Sequence, residues 1–143
     1  YTVGPDTRPA KAILPMHTLQ LRNAYQNSLY VAWINGLEYV TFPPISTGAF
    51  GYKVNEATPV ALDSIIDFLN TYKPAMKEIR FFHWSGNPAD YKIYKEKLDK
   101  YEQSGVLKKL LNQSEAPEIF KTLEASSTKK DTHAPLVYEL TLP

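Results

Sequence analysis

The chain has 143 residues, of which 43% are hydrophobic and 22% charged, a composition that predicts one domain with enough apolar residues for a core. Its 16 basic and 15 acidic side chains nearly cancel, which makes nucleic acid an unexpected partner, and no apolar run approaches the roughly 18 residues of a membrane-spanning helix. The absence of cysteine excludes disulfides, thiolate catalysis and cysteine-based zinc sites, and it fits an intracellular protein, cytoplasmic or nuclear.

The first long element that the sequence predicts is a helix. Residues 6–17 are polar and interrupted by prolines, which is typical of a loop. From residue 19 to 35, apolar side chains recur at steps of three and four, Thr18 can cap the first turn, and Gly36 follows the last. The predicted apolar face consists of Leu21, Ala24, Tyr25, Leu29, Ala32 and Trp33.

A strand and a second helix follow. Residues 37–42 are rich in β-branched and aromatic side chains, which favour a buried strand. Residues 55–70 again show helical spacing, with Asn55 or Thr58 as the cap and with Pro59 tolerable only in the first turn.

The next two elements repeat this order. Residues 78–84 predict a second core strand, and Asn87 followed by Pro88 is typical of the start of a third helix, which ends near Gly105. The apolar face of that helix is predicted to be Tyr91, Tyr94, Leu98 and Tyr101. Helices alternating with strands indicate an α/β fold with a mixed, partly parallel sheet flanked by helices.

The remaining residues are less regular. Residues 106–111 favour a helix, 117–124 a further helix, 126–132 a polar linker and 136–142 a final strand. We therefore expect a domain at residues 1–105 and a C-terminal extension at residues 106–143, helical first and then a possible strand.

The loop after the first strand is the main candidate for a binding site. Residues 46–51 can present a run of backbone N–H groups and two hydroxyls to one anionic group, and Gly48 and Gly51 permit positive φ and close approach of a ligand. The same residues also suit a strand-to-helix turn in which the glycines only solve a steric problem. In α/β sheets ligands bind beyond the carboxyl ends of strands, where residues 43–52 and 85–88 are both expected.

Residues 1–101 together resemble the second half of a macro domain, an ADP-ribose-binding module. Tyr1 to Pro5 look like the family's strand ending in Val-Gly-Pro, and residues 21–29 look like the helix that follows it. The most specific match is Phe42 to Tyr52, which looks like the family's Pro-x-Ile-Ser-Thr-Gly-x-Phe/Tyr-Gly-Tyr loop. The resemblance implies a three-layer macro-domain fold and binding of ADP-ribose.

The resemblance also implies which residues bind the ligand. Phe50 would lie beside the distal ribose, Pro44 on the adenine side, and Trp84 and Ser85 near the adenine and its ribose. The full set of ligand-binding residues that the resemblance implies is Pro44, Ile45, Ser46, Thr47, Gly48, Ala49, Phe50, Gly51, Trp84 and Ser85.

Several features depart from the family pattern. Ala49 is smaller than the branched residue usual there, and Lys53 replaces a proline, so that its ammonium group either lies near the phosphates or faces water. The family's opening strands and its asparagine- and glycine-containing loop have no counterpart in the chain, and the start at Tyr1 looks like a cut end.

These departures leave three hypotheses open. The first is binding of ADP-ribose or an ADP-ribosylated protein; the second is an ADP-ribosyl hydrolase whose N-terminal half lies elsewhere, because no catalytic residue can be named in this chain. The third is a scaffold for protein contacts, in which a second chain or fragment completes the sheet. We expect no cofactor and no metal, since the three histidines show no metal-ligand spacing and His83 is better interpreted as a packing or surface residue.

Overall fold

The computed structural model describes residues 2–81, 88–104, 107–109 and 136–140. The chain divides into two compact units, the first mainly Tyr1–Leu37 with Pro44–Ala75 and the second mainly Glu38–Pro43 with Met76–Thr141.

The first unit is built on two helices, α1 (Pro15–Ile34) and α2 (Val54–Tyr72), which pack against each other. The predicted apolar face of α1 is buried except for Trp33, which is 36% exposed and corrects that part of the prediction. The apolar side chains with at most 6% exposure are Leu21, Ala24, Tyr25, Leu29 and Ala32 on α1 and Ala57, Ala61, Leu62, Ile65, Phe68 and Leu69 on α2. Burial of such apolar surface supplies most of the stability of a helix pair.

Both helices begin earlier than predicted. The N-cap of α1 is Leu14 rather than Thr18, and the backbone N–H of Leu14 donates to Nδ1 of His17 at 3.0 Å. Pro15 fits the first helical position because its missing N–H would have no intrahelical partner there. The N-cap of α2 is Lys53 rather than Asn55 or Thr58.

Pro59 also lies deeper in α2 than predicted. It stands five residues beyond Val54, inside the helix rather than in its first turn. The turn is supported by Thr58, whose hydroxyl donates to the carbonyl oxygen of Val54 at 2.6 Å. Lys73, with φ of 48°, ends the helix in the left-handed conformation.

The second unit contains a four-stranded sheet and α3 (Pro88–Gln103). The strands are β1 (Tyr39–Phe42), β2 (Glu78–Phe81), β3 (Leu107–Lys109) and β4 (Leu136–Leu140), in the order β1-β2-β4-β3. β1 and β2 are parallel, whereas β4 is antiparallel to both of its neighbours, which confirms the mixed, partly parallel sheet.

The third helix begins at Pro88, as predicted, and its predicted apolar face is buried at Tyr94 and Leu98, whereas Tyr91 and Tyr101 are half-buried. Tyr94 and Leu98 are at most 1% exposed, and the ring of Tyr94 lies 5.2 Å from that of Phe81 on β2. None of the described helices is long and apolar enough to cross a membrane.

The structure corrects one prediction in the tail and leaves others untested. The predicted helix at 106–111 is wrong, because residues 107–109 form β3 and pair with β4. A short apolar run suits either element, and the long-range pairing decides between them. The final strand is confirmed at Leu136–Leu140, whereas residues 117–124 and 126–132 lie outside the described residues, and the division at residue 105 stays a prediction.

Candidate anion-binding site

The loop that follows β1 along the chain is folded by its own backbone bonds. We call residues 44–51 the candidate loop. The N–H and the hydroxyl of Thr47 both donate to the carbonyl oxygen of Pro44, at 3.3 and 2.8 Å, and the N–H of Gly51 donates to Gly48 at 3.1 Å. The N–H of Tyr52 then closes the loop by donating to Ser46 at 3.0 Å. These bonds make the loop a pair of consecutive tight turns.

Three further contacts anchor the candidate loop. The N–H of Ile45 donates to the hydroxyl oxygen of Tyr25 on α1 at 3.1 Å, in a buried position. The carbonyl oxygen of Phe50 accepts from the N–H and the hydroxyl of Thr7, at 3.0 and 2.9 Å. Tyr52 is 2% exposed, and its hydroxyl lies 3.3 Å from that of Thr18 on α1. The loop is therefore anchored near its start at Ile45, in its second turn at Phe50 and just after its end at Tyr52.

The glycines of the candidate loop have different roles. Gly51 has φ of 72°, a conformation that favours glycine, which confirms the expectation for that position. Gly48 does not adopt positive φ, and a Cβ atom placed there would meet nothing within 4 Å. Instead Ser46 has the second positive φ of the loop, 65°. The fold of the described residues thus gives no steric reason for glycine at position 48.

Several polar groups of the candidate loop are unpaired. Among the described residues nothing accepts from the backbone N–H groups of Ser46, Gly48, Ala49 and Phe50. Gly48 and Ala49 are exposed to solvent. The hydroxyl of Ser46 is buried without a hydrogen-bond partner, next to Gly4, where any Cβ would collide with it and with the side chain of Ile45. An anion placed over this loop can therefore accept bonds from backbone N–H groups that the described residues leave open. The two predicted hydroxyl donors are not available to it, because Thr47 donates to Pro44 and the Ser46 hydroxyl is enclosed beside Gly4.

A cleft of about 450 Å³ borders the candidate loop. Its lining is Thr7, Arg8, Lys11, Ala12, Ile13, Gly51, Lys53 and Glu56. The guanidinium carbon of Arg8 lies 5.7 Å from the ring centroid of Phe50, a cation–π distance. Arg8 also donates from Nε and Nη2 to the carboxylate of Asp6, at 2.8 and 2.6 Å, and this bond holds the pKa of Asp6 down at about 2. We call this space the basic cleft.

The structure brings together part of the predicted site. Residues 44–51 form the candidate loop as a unit, whereas Trp84, Ser85 and His83 lie outside the described residues. The contacts of Thr7 and Tyr25 with the loop were not predicted, because nothing local marks a threonine or a tyrosine as the partner of a residue 43 or 20 positions away, respectively. For the basic cleft the signal was Lys53, the departure from the family's proline.

Several of the described carboxylates form ion pairs at the surface, whereas Glu78 pairs with Arg80 in a buried position. Asp67 lies 3.0 Å from Arg22, and Glu38 lies 3.1 Å from Lys77. No group of three or more histidine and acidic residues suited to a metal ion occurs among the residues that the structure describes.

Comparisons with known proteins support the resemblance to the macro domain. Residues 1–61 match the family model of the Macro domain. The ADP-ribose glycohydrolase MACROD2 of Xenopus laevis is 36% identical over 101 residues, which cover 71% of this chain and 23% of that protein. The O-acetyl-ADP-ribose deacetylase of Cronobacter turicensis is 33% identical over 103 residues, 72% of this chain and 55% of the relative.

Solved structures agree with these relatives. A macrodomain of Oceanobacillus iheyensis with ADP superposes with a TM-score of 0.58 at 32% identity, covering 71% of this chain and 50% of that one. A macrodomain of Trypanosoma brucei in complex with ADP-ribose gives 0.51 at 31% identity, over 57% of this chain and 34% of the other. The chain thus has the macrodomain α/β fold over its matched part and spans about half the length, or less, of these relatives.

Proposed function

We propose that this chain, whose residues 1–61 belong to the Macro domain family, binds ADP-ribose or an ADP-ribosylated protein through the candidate loop. The observation that carries the proposal is the set of four backbone N–H groups without partners among the described residues, on a loop anchored by Tyr25 and Thr7. Donors that are held in place before binding need little reorganisation when a diphosphate arrives, which favours affinity.

Each part of the ligand has a proposed partner. Residues 46–51 bind the diphosphate, and Phe50 lies beside the distal ribose with Arg8 on its ring. Pro44 forms the wall on the adenine side, Trp84 stacks on the adenine, and Ser85 makes a polar contact to the nucleoside, as the resemblance implies. An indole face suits a purine because both are flat and polarisable.

Gly48 supports the diphosphate assignment. Its α-carbon faces open space, so the steric-turn hypothesis does not explain the glycine, whereas close approach of a phosphate to the backbone does. The partners that fit this proposal are ADP-ribosylated proteins of the cytoplasm or the nucleus.

Hydrolysis is the second candidate function. It is favoured by the names of the relatives, a glycohydrolase and a deacetylase, over the part of their length that this chain matches. Within this proposal the chain contributes binding and orientation of the ADP-ribose, and no residue of it is assigned as catalytic. A second chain or fragment that completes the sheet would supply the rest.

The test is calorimetry with ADP-ribose on the wild-type chain, Gly48→Glu and Gly48→Ala. The wild type should bind on the micromolar scale. The glutamate brings a carboxylate to the diphosphate position and should weaken binding by more than about 100-fold, since each lost charge-assisted bond is worth about 1.5–3 kcal/mol. Gly48→Ala should weaken ADP-ribose binding by about tenfold or less.

The two variants also control for folding. Because a Cβ at position 48 meets nothing within 4 Å, both should unfold at the wild-type temperature. Absence of binding heat with folded wild-type protein, or equal affinity in Gly48→Glu, would contradict the proposal and leave the scaffold hypothesis.

A further inference from the structure

The basic cleft adjoins the candidate loop on the side of Phe50 and Gly51. Gly51 lines it directly, and Thr7, another lining residue, holds the carbonyl oxygen of Phe50. Since Phe50 is the residue proposed beside the distal ribose, the cleft lies next to the position from which a modified side chain would leave the ligand. Its volume of about 450 Å³ exceeds what a single small ion needs.

Two of its three cationic groups are unpaired. Arg8 is already engaged by the carboxylate of Asp6 through both Nε and Nη2. Lys11 and Lys53 are exposed, and neither has an ion-pair partner among the residues that the structure describes. The cleft therefore offers two separate ammonium groups and no free guanidinium fork.

The position of Lys11 is strained. Its φ of 53° is in the left-handed region, which a residue with a Cβ rarely adopts, and its N–H donates to the carbonyl oxygen of Arg8 at 3.2 Å. Among the residues that the structure describes, two others with a Cβ have positive φ, Ser46 in the candidate loop and Lys73 at the end of α2. Strained residues concentrate where a ligand is held, and Lys11 and Ser46 both fit that pattern.

The chemistry of the cleft favours a carboxylate over a phosphate. Glu56 stands in the first turn of α2, where its negative charge already compensates the helix N-terminus. A doubly charged phosphate would be repelled by Glu56 and would find no guanidinium fork. A single carboxylate can instead pair with one ammonium group while its methylene groups pack on Ala12 and Ile13.

We propose that the basic cleft binds an acidic side chain of the peptide that carries the ADP-ribose, so that the chain prefers modification sites flanked by aspartate or glutamate. The inference rests on the proposed function, because it takes the peptide to leave the ligand beside Phe50. Lys11 and Lys53 are the residues that determine this preference.

Lys53 offers a variant that removes charge without changing the backbone. Its φ of −66° and ψ of 130° are those of proline, and nothing among the described residues accepts from its N–H. Lys53→Pro combined with Lys11→Met therefore removes both ammonium groups. The matched control is Lys92→Met, which removes an exposed lysine of α3 that does not line the cleft.

The experiment compares two synthetic peptides, ADP-ribosylated on the same serine and differing only in flanking aspartates or asparagines. The wild-type chain should bind the aspartate peptide about three- to tenfold more tightly at low salt, the range expected for two exposed ion pairs. Added salt should reduce the ratio. The double variant should show less than about a twofold preference and keep its affinity for free ADP-ribose, while Lys92→Met keeps the full preference.

The outcomes separate this inference from the proposed function. Loss of free ADP-ribose binding by the wild-type chain would overturn both. Normal ADP-ribose binding with equal affinity for the two peptides, or a preference that survives in the double variant, would overturn the peptide site alone. In a further outcome, an oligomer of two ADP-ribose units binds the wild-type chain more tightly than free ADP-ribose does, and the double variant loses this difference. The cleft would then be a phosphate site, and the proposal would be wrong.

Discussion

The candidate loop and the basic cleft share Gly51 but are built in different ways. The loop closes on itself with backbone bonds within residues 44–52 and needs only a few outside contacts to fix it. The basic cleft is assembled from residues 7–13, Gly51 and the start of α2, stretches that are far apart in sequence. The loop should therefore tolerate changes in the cleft wall, whereas the cleft should respond to changes in either of its sides.

The strongest way to break the candidate loop without touching the cleft wall is Tyr25→Phe. Tyr25 is fully buried, and its hydroxyl oxygen accepts from the N–H of Ile45, so removing the hydroxyl leaves a buried donor without that partner. We expect a loss of about 1–3 kcal/mol in unfolding free energy, measured with urea, together with weaker ADP-ribose binding.

The control for this change is Tyr30→Phe, an exposed tyrosine on the same helix, which should change stability by less than about 0.5 kcal/mol. Unchanged stability in Tyr25→Phe would show that the loop does not depend on its buried anchor.

Sequence reasoning reached the candidate loop because its information is local. Strand, turn and glycine signals lie within about ten residues of one another, and the structure places residues 44–51 in one loop. Gly51 has the positive φ that the sequence predicts, whereas the second positive φ of the loop occurs at Ser46 and not at Gly48. Only the surrounding contacts decide which residue of a turn is strained.

Three other features of the structure depend on contacts that no local sequence pattern reveals. β3 forms at Leu107–Lys109 because it pairs with β4, about 30 residues later, and local spacing alone favoured a helix. α1 has Leu14 rather than Thr18 as its N-cap, and the ring nitrogen of His17 accepts from the Leu14 N–H. The basic cleft was not predicted for the same reason: residues 6–17 are a polar loop in isolation and gain their significance from α2.

His17 does not line the basic cleft, but it binds Leu14, which follows the lining residue Ile13. His17 lies at the third helical position, where a glutamine or glutamate usually reaches back to the N-cap N–H, and its Nδ1 accepts from Leu14 in that way. His17→Ala should lower the unfolding free energy by about 1 kcal/mol and His17→Gln by less, because glutamine keeps an acceptor. Chemical unfolding measures both.

If the candidate loop and the basic cleft are separate, His17→Ala should affect the two ligands differently. ADP-ribose affinity should stay within about twofold, since the candidate loop keeps its own bonds, whereas the preference for an aspartate-flanked peptide should fall. Equal losses for both ligands would mean that loop and cleft behave as one unit.

The smallest effect is expected from Arg8→Met, which leaves the fold intact and changes one titration. The Arg8 guanidinium lowers the pKa of Asp6 from the usual 3.8 to about 2, and a lowered carboxyl pKa stabilises the folded state above about pH 4, an effect that is lost as the pH falls through 2. In the variant, the pKa of Asp6 should rise toward 3.8, measured at its carboxyl carbon by NMR, with little change in stability because the pair lies at the surface. Backbone resonances of Lys11 and Ile13 should move, while those of Ile45 to Gly48 stay in place; shifts of equal size in both segments would contradict the separation of loop and cleft.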